Sequence, residues 1–170
     1  MSGEYEIETI NYFLKPGFIY VSTQKPTVIS TVLGSSVAVS LYDRKRQTGG
    51  MNHFLYPVAE TRSGATALYG NAAVAALIDL MVSSGSKFKH LEAQILGGAY
   101  NPDISPEDVG RRSVGVARRM LGRKGIRVVS EDSGGSRGRK VVMNSFNGEL
   151  VVVKVDRLRG GDWYPYEDTR

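Results

Sequence analysis

The amino-acid sequence predicts an α/β (α+β) layered sandwich, with a mixed β-sheet, hairpins and two main helices. Three observations predict it. Apolar residues recur at period two in short segments, most clearly Val37, Val39 and Leu41 alternating with Ala38, Ser40 and Tyr42. Two longer segments, Leu68 to Ser83 and Ser105 to about Arg123, read as helices. Hairpins sit toward both ends of the chain, and strand–helix units lie between them.

Taken in order, Phe18 to Ser22 reads as the first strand, entered through Lys15-Pro16-Gly17, and Gln24 to Pro26 as a turn. A second extended piece starts at Val28 and ends at Gly34, where a residue without Cβ permits a sharp or positive-φ bend. The alternating strand from Val37 follows. Asp43 to Gly50 is a polar hairpin loop, and Met51 to Tyr56 returns as the partner strand, stopped by Pro57. Glu60 to Ala65 is a loop. The helix from Leu68 to Ser83 carries Ala72, Ala73, Ala76, Leu77, Leu80 and Met81 on one side, small residues suited to close packing on a sheet. Leu91, Ala93 and Ile95 form a strand ending at Gly97-Gly98. Ser105-Pro-Glu-Asp108 reads as a helix start with Ser105 as N-cap, and Gly125 closes that helix. Ile126 to Ser130 is a strand, and Asp132 to Ser136 a loop. Lys140 to Phe146 and Glu149 to Val155 form a hairpin through Asn147-Gly148.

The 170 residues suit one domain, with its core at about 15–155 and a loosely ordered tail at 157–170. No apolar run approaches the roughly 20 residues that span a bilayer, and the acidic N-terminus lacks a signal core, so a cytoplasmic protein without membrane insertion is expected. With no cysteine and two histidines there is no disulfide and no Cys/His zinc site; neither metal nor cofactor is expected. The net charge is +5, and Arg111, Arg112, Arg118, Arg119, Arg123, Lys124 and Arg127 cluster, followed by Arg137, Arg139 and Lys140. Such a face suits an acidic partner or simply solvent. No aromatic residue interleaves with these charges, which argues against a nucleic-acid stacking platform. No exposed apolar patch is obvious.

One constellation suggests chemistry. Gly34-Ser-Ser36 sits at the mouth of the alternating strand, and His53 lies 17 residues later on its partner. If residue 38 pairs opposite 53, Ser36 and His53 are diagonal neighbours on one face, about 7–8 Å apart at Cα and within reach of an imidazole. A one-residue slip puts them on opposite faces. Ser36 then reads as a nucleophile and His53 as its base. The plainer reading makes Ser35 and Ser36 turn residues and His53 a half-buried sheet residue. His90 reads as a surface residue.

Several segments, in order, resemble one family. They are Ser30-Thr-Val-Leu-Gly-Ser-Ser-Val-Ala-Val, Gly49-Gly-Met-Asn-His53-Phe-Leu-Tyr-Pro57, Tyr69-Gly-Asn-Ala-Ala73, Ala93-Gln-Ile-Leu-Gly-Gly-Ala99, Asp108-Val-Gly110 and Glu131-Asp-Ser-Gly-Gly-Ser-Arg-Gly-Arg-Lys140. Together they resemble the bacterial chemoreceptor glutamine deamidase (CheD) family over roughly residues 15 to 155. The resemblance implies a three-layer α/β/β domain and papain-like chemistry that converts glutamines of methyl-accepting chemotaxis receptors to glutamates. It puts Ser36 where the family has a cysteine nucleophile, and His53 at the family's base. Either Ser30 or Thr31 matches a hydroxyl residue that orients the imidazole.

The same resemblance nominates Gly34, Ser35, Gly97, Gly98, Arg111 and Arg112 for substrate binding, the arginines steering the acidic receptor helices. It implies a CheC-type phosphatase as a second partner. Ser40 stands where members often carry another cysteine. Two serines at cysteine positions are consistent with engineered replacement or with natural loss of the nucleophile. A hydroxyl does not ionise as a thiol does, so the expectation is a folded, substrate-binding and nearly inactive deamidase. The alternatives are a non-catalytic binding module docking a receptor or a phosphatase and, from charge alone, a nucleic-acid binder.

Overall fold

The computed structural model describes residues 8–158 and 162. In chain order these form β1 (Ile10–Phe13), β2 (Ile19–Val21), β3 (Thr27–Leu33), β4 (Val37–Asp43), β5 (Thr48–Asn52), α1 (Gly70–Ser83), β6 (Leu91–Gly97), α2 (Val109–Arg123), β7 (Arg127–Ser133), β8 (Gly138–Asn144) and β9 (Leu150–Val155). A 3-10 turn, Phe88–His90, leads into β6.

The strands form two sheets, the two β layers that the family resemblance implies and that strand periodicity alone does not divide. One has the order β1-β3-β8-β9 and the other β2-β5-β4-β6-β7. Each is mixed, with β1 parallel to β3 and β6 parallel to β7. The alternation along β4 explains the layering. Val37, Val39 and Leu41 join Ala73, Val74 and Leu77 of α1 and Val114, Ala117 and Leu121 of α2 in one core. Ala38, one step out of phase, joins Ile29, Leu33, Met51, Leu96, Val141 and Met143 in a second core between the sheets. The layers are therefore helices, five-stranded sheet and four-stranded sheet. A strand buried on both faces has to carry small or apolar residues at successive positions, as β4 does.

Some boundaries move. The hairpin after β4 is tighter than a loop from Asp43 to Gly50, because the Asp43 carboxylate accepts the N–H groups of Lys45 and Arg46 and folds the turn at once. Ser105 does not cap α2: its hydroxyl bonds the backbone of Glu107 in a preceding turn. Asp108 is the N-cap, its carboxylate accepting the Arg111 N–H at 2.9 Å. Gly125 closes the helix as expected. It adopts φ +67, its N–H reaches the Gly122 carbonyl, and the Ile126 N–H reaches the Leu121 carbonyl.

β1 escapes sequence reading because it is a four-residue edge strand, mostly exposed and without clean alternation. Most of the tail expected at 157–170 lies outside the described residues. Of the described part, Leu158 packs on Gly138 and Asp162 ion-pairs with Lys140. The outer face of the four-stranded sheet also exposes Phe13, Val142, Val151 and Val153, an apolar patch the sequence reading did not anticipate. Among the described residues no helix is long and apolar enough to cross a membrane.

Candidate active site

The seam between the two sheets carries polar residues where its core would otherwise continue. Along β3, Thr31 shares its face with the buried Ile29 and Leu33, and so points between the sheets. His53 follows β5, two residues after Met51, on the same inward face. Ser36 precedes β4, two residues before Ala38. The hairpin register is Ser40 opposite Met51, continued by a bridge between Val37 and Phe54. Residue 38 therefore lies opposite residue 53, and Ser36 and His53 are diagonal neighbours on one face.

The three side chains form a relay. His53 Nε2 lies 2.9 Å from Ser36 Oγ. His53 Nδ1 lies 2.8 Å from Thr31 Oγ1. The Thr31 hydroxyl donates its proton to the Leu14 carbonyl at 2.8 Å. A hydroxyl has one proton to give, so toward the ring Thr31 acts as acceptor and Nδ1 carries the hydrogen. Nε2 is then left with its lone pair aimed at Ser36. His53 has no exposed surface and Ser36 keeps 7 %. Burial drives the imidazole down to a pKa of about 4, with the Leu14 carbonyl acting in the opposite sense. The ring is neutral at pH 7, as a proton acceptor must be.

Ser30, the other hydroxyl considered, is one residue along β3 and faces the outer side of that sheet, away from the imidazole. Gly34 and Ser35 line a groove of about 630 Å³ with Ala99, Tyr100, Ile104 and Val109. Gly34 does not have a positive φ, and a Cβ there would meet nothing within 4 Å, so the bend does not depend on glycine. Gly97 and Gly98 lie behind the turn instead of in the groove. The Gly98 N–H donates to the Ser36 carbonyl at 2.9 Å and the Ala99 N–H to the Gly34 carbonyl at 3.1 Å. Gly97 has φ +102, and a Cβ there would fall 2.2 Å from the Ser36 carbonyl oxygen. Only glycine lets β6 approach the turn so closely.

Arg111 and Arg112 are exposed on the first turns of α2 and border shallow grooves beside Pro57 and Val58, apart from the groove at Ser35. Arg112 pairs with Glu107 at 3.7 Å, and Arg118 forks onto Glu131 at 2.7 and 2.8 Å. Arg139, counted among the surface cations in the sequence reading, is buried at 2 % exposure. Sequence reasoning does not reach three residues near the relay: the Leu14 carbonyl, Arg139 and Asn52, whose Oδ1 accepts the Val39 N–H at 2.8 Å. A backbone carbonyl far along the chain leaves no mark in a motif. Arg139 did leave one, in the Gly-Arg-Lys segment, but its charge suggested surface.

The N–H groups of Ser35 and Ser36 enter no backbone hydrogen bond outside the strands among the described residues. A hydroxyl, a neutral base and an orienting acceptor are parts of a nucleophilic acyl-transfer site.

Comparison with known proteins identifies a family. The family model for CheD chemotactic sensory transduction matches residues 57–154, a span that begins just after the relay. Curated relatives align over more of the chain. A protein of Sulfurimonas denitrificans is 38% identical over 136 residues, covering 78% of this chain and 87% of its own. One from Trichlorobacter lovleyi is 38% identical over 143 residues, covering 83% and 88%. One from Methanococcus vannielii is 34% identical over 139 residues, covering 80% and 90%. Each is named "Probable chemoreceptor glutamine deamidase CheD". With a family match across more than half its length and relatives of this similarity covering 78–83% of it, the chain belongs to the CheD family.

Proposed function

We propose that this chain is a chemoreceptor glutamine deamidase whose nucleophile position is held by Ser36, with His53 as general base and Thr31 as the residue that orients it. The observation that carries the reading is the relay from Ser36 Oγ through both ring nitrogens of His53 to Thr31, at 2.9 and 2.8 Å. In the reaction, Ser36 Oγ bonds to the glutamine side-chain carbonyl carbon and passes its proton to His53 Nε2. The oxyanion rests against the Ser35 and Ser36 N–H groups. Collapse breaks the C–N bond, and ammonia leaves with the proton from Nε2. Water then cleaves the ester to leave glutamate and the free hydroxyl.

Serine makes this slow for two physical reasons. A thiol near a histidine ionises before it attacks, whereas a hydroxyl must lose its proton during the attack. The imidazole that would accept that proton is buried and disfavours its own charge. Turnover is therefore greatly reduced, while the fold and the groove remain.

The same geometry serves a second role without chemistry. A site that recognises a glutamine side chain and does not release product would hold a receptor helix, or a CheC-type phosphatase docked on the same chain. The serine at position 36 favours this reading over full activity. In both readings a single domain works in the cytoplasm on the receptor's cytoplasmic helices, and Arg111 and Arg112 supply attraction toward acidic helices without touching the reacting amide. The test is ammonia release from a purified receptor cytoplasmic fragment. The Ser36→Cys chain is expected to release it and the parent to release at least about 100-fold less. Equal rates would refute the role given to Ser36, and no release from either would leave only the binding role.

A further inference from the structure

The Ser36 turn is gripped from behind by backbone, and that backbone is gripped in turn by one buried cation. Arg139 lies on β8 opposite Leu33, the last residue of β3 before the turn. Its guanidinium crosses from the four-stranded sheet to the five-stranded one. Nη2 and Nε meet Asp132 Oδ1 at 3.1 and 3.2 Å. Nη2 also donates to the Gly134 carbonyl at 2.9 Å, and Nη1 to the carbonyls of Arg137 at 3.3 Å and Gly97 at 3.4 Å. The Gly134 N–H donates to the same Gly97 carbonyl at 2.9 Å, and the Tyr100 N–H to the Gly135 carbonyl at 2.8 Å. Residues 97–100 are thus held between the 134–135 loop on one side and the Ser36 turn on the other.

We infer that Arg139 is a positioning residue, which anchors the end of β6 so that Gly97 and Gly98 hold the Ser36 backbone with its side chain at hydrogen-bond distance from His53. This rests on the reading of Ser36 as the nucleophile. Stability alone does not account for the residue. A buried ion pair is often matched or bettered by apolar side chains of similar volume, because desolvation offsets its attraction. The site instead presents acceptors in several directions around a plane: one carboxylate and three carbonyls. A guanidinium satisfies such an arrangement, and an ammonium on a flexible stem does not. Asp132 is held further by Lys154 at 3.1 Å, and these cations keep its carboxyl below the usual carboxylate range against the desolvation that pushes it up.

The experiment uses the Ser36→Cys chain and measures alkylation of the thiol at position 36 by iodoacetamide across neutral pH, beside the thermal midpoint. Two further changes are compared: Arg139→Lys, and the pair Arg139→Met with Asp132→Leu, which removes the buried charges together. The expected result is a folded protein whose alkylation at neutral pH falls 10- to 100-fold, with a pH profile moved toward that of a free thiol near about 8.5. Folded variants that keep the parental profile would overturn the inference. So would failure of the charge-free pair to fold, which would make Arg139 a stability element. The underlying reading fails separately. A thiol at position 36 that reacts fast with Arg139 in place, yet releases no ammonia from receptor, removes the deamidase assignment and leaves the positioning role standing.

Discussion

His53 should make this protein lose stability in mild acid. The imidazole is fully buried and its pKa falls from an ordinary 6.5 to about 4. Below pH 6.5 an unfolded chain takes up a proton at this residue and the folded chain does not, so stability rises with pH through this window and is lost as pH falls. At about 1.36 kcal/mol for each pH unit between the two values, the full loss is about 3 kcal/mol, most of it complete by about pH 4.5. Asp43 and Asp132 also carry lowered pKa values, and their stabilisation is lost only as pH falls below the usual carboxylate value, beneath this window. His90 is half-buried and is removed from the comparison by His90→Gln in every sample. The assay is urea unfolding at pH 7.5 and about pH 4.5. With slopes of roughly 1–3 kcal/mol per molar urea, the midpoint should fall by about 1–3 M. In a His53→Gln chain the fall should largely disappear. A midpoint that is the same at both pH values in the parent, or that falls equally in His53→Gln, would refute the argument that a neutral buried imidazole underlies the effect.

Further outcomes follow from the same geometry. Gly97→Ala should destabilise by about 3 kcal/mol or more in urea unfolding, since its Cβ meets the Ser36 carbonyl and its φ is left-handed. Gly34→Ala should stay within about 1 kcal/mol of the parent, because the added methyl meets open space. Thr31→Val removes the acceptor at His53 Nδ1, which should cost about 1–3 kcal/mol in stability. In the Ser36→Cys chain the same change should lower kcat with KM nearly unchanged, read by ammonia release. Binding of a receptor fragment should weaken as salt rises from low to physiological strength, and Arg111→Ala with Arg112→Ala should flatten that dependence in a titration followed by fluorescence anisotropy.

Much of the site was legible because sheets have strict periodicity. Once Val37, Val39 and Leu41 are read as one face of a strand, Ser36 must share the other with Ala38, and a short polar hairpin brings His53 to it. That pairing was a conditional, since one residue of slip would have reversed His53, and the structure has the register it required. Thr31 and Ser30 could not be separated by a motif, although neighbours on a strand face opposite sides. The choice needed to know which face of β3 meets the other sheet, a tertiary fact. The split into two sheets was hidden for a related reason: β3 and β4 adjoin in sequence across Gly34 yet pair with different strands. Local propensity also misled at α2, where Ser105-Pro looks like a helix start but the chain turns once more before Asp108 caps it. The charge of Arg139 points to the surface, yet buried carbonyls and a carboxylate hold its guanidinium inside.

The decisive measurement is ammonia release from one receptor cytoplasmic fragment by this chain and by its Ser36→Cys form, under the same conditions and with both proteins verified as folded. A hydroxyl standing in a thiol's position beside a neutral, oriented imidazole predicts glutamine-to-glutamate conversion by the cysteine form and at least about 100-fold less by the serine form. Conversion at the same rate by the two would contradict it.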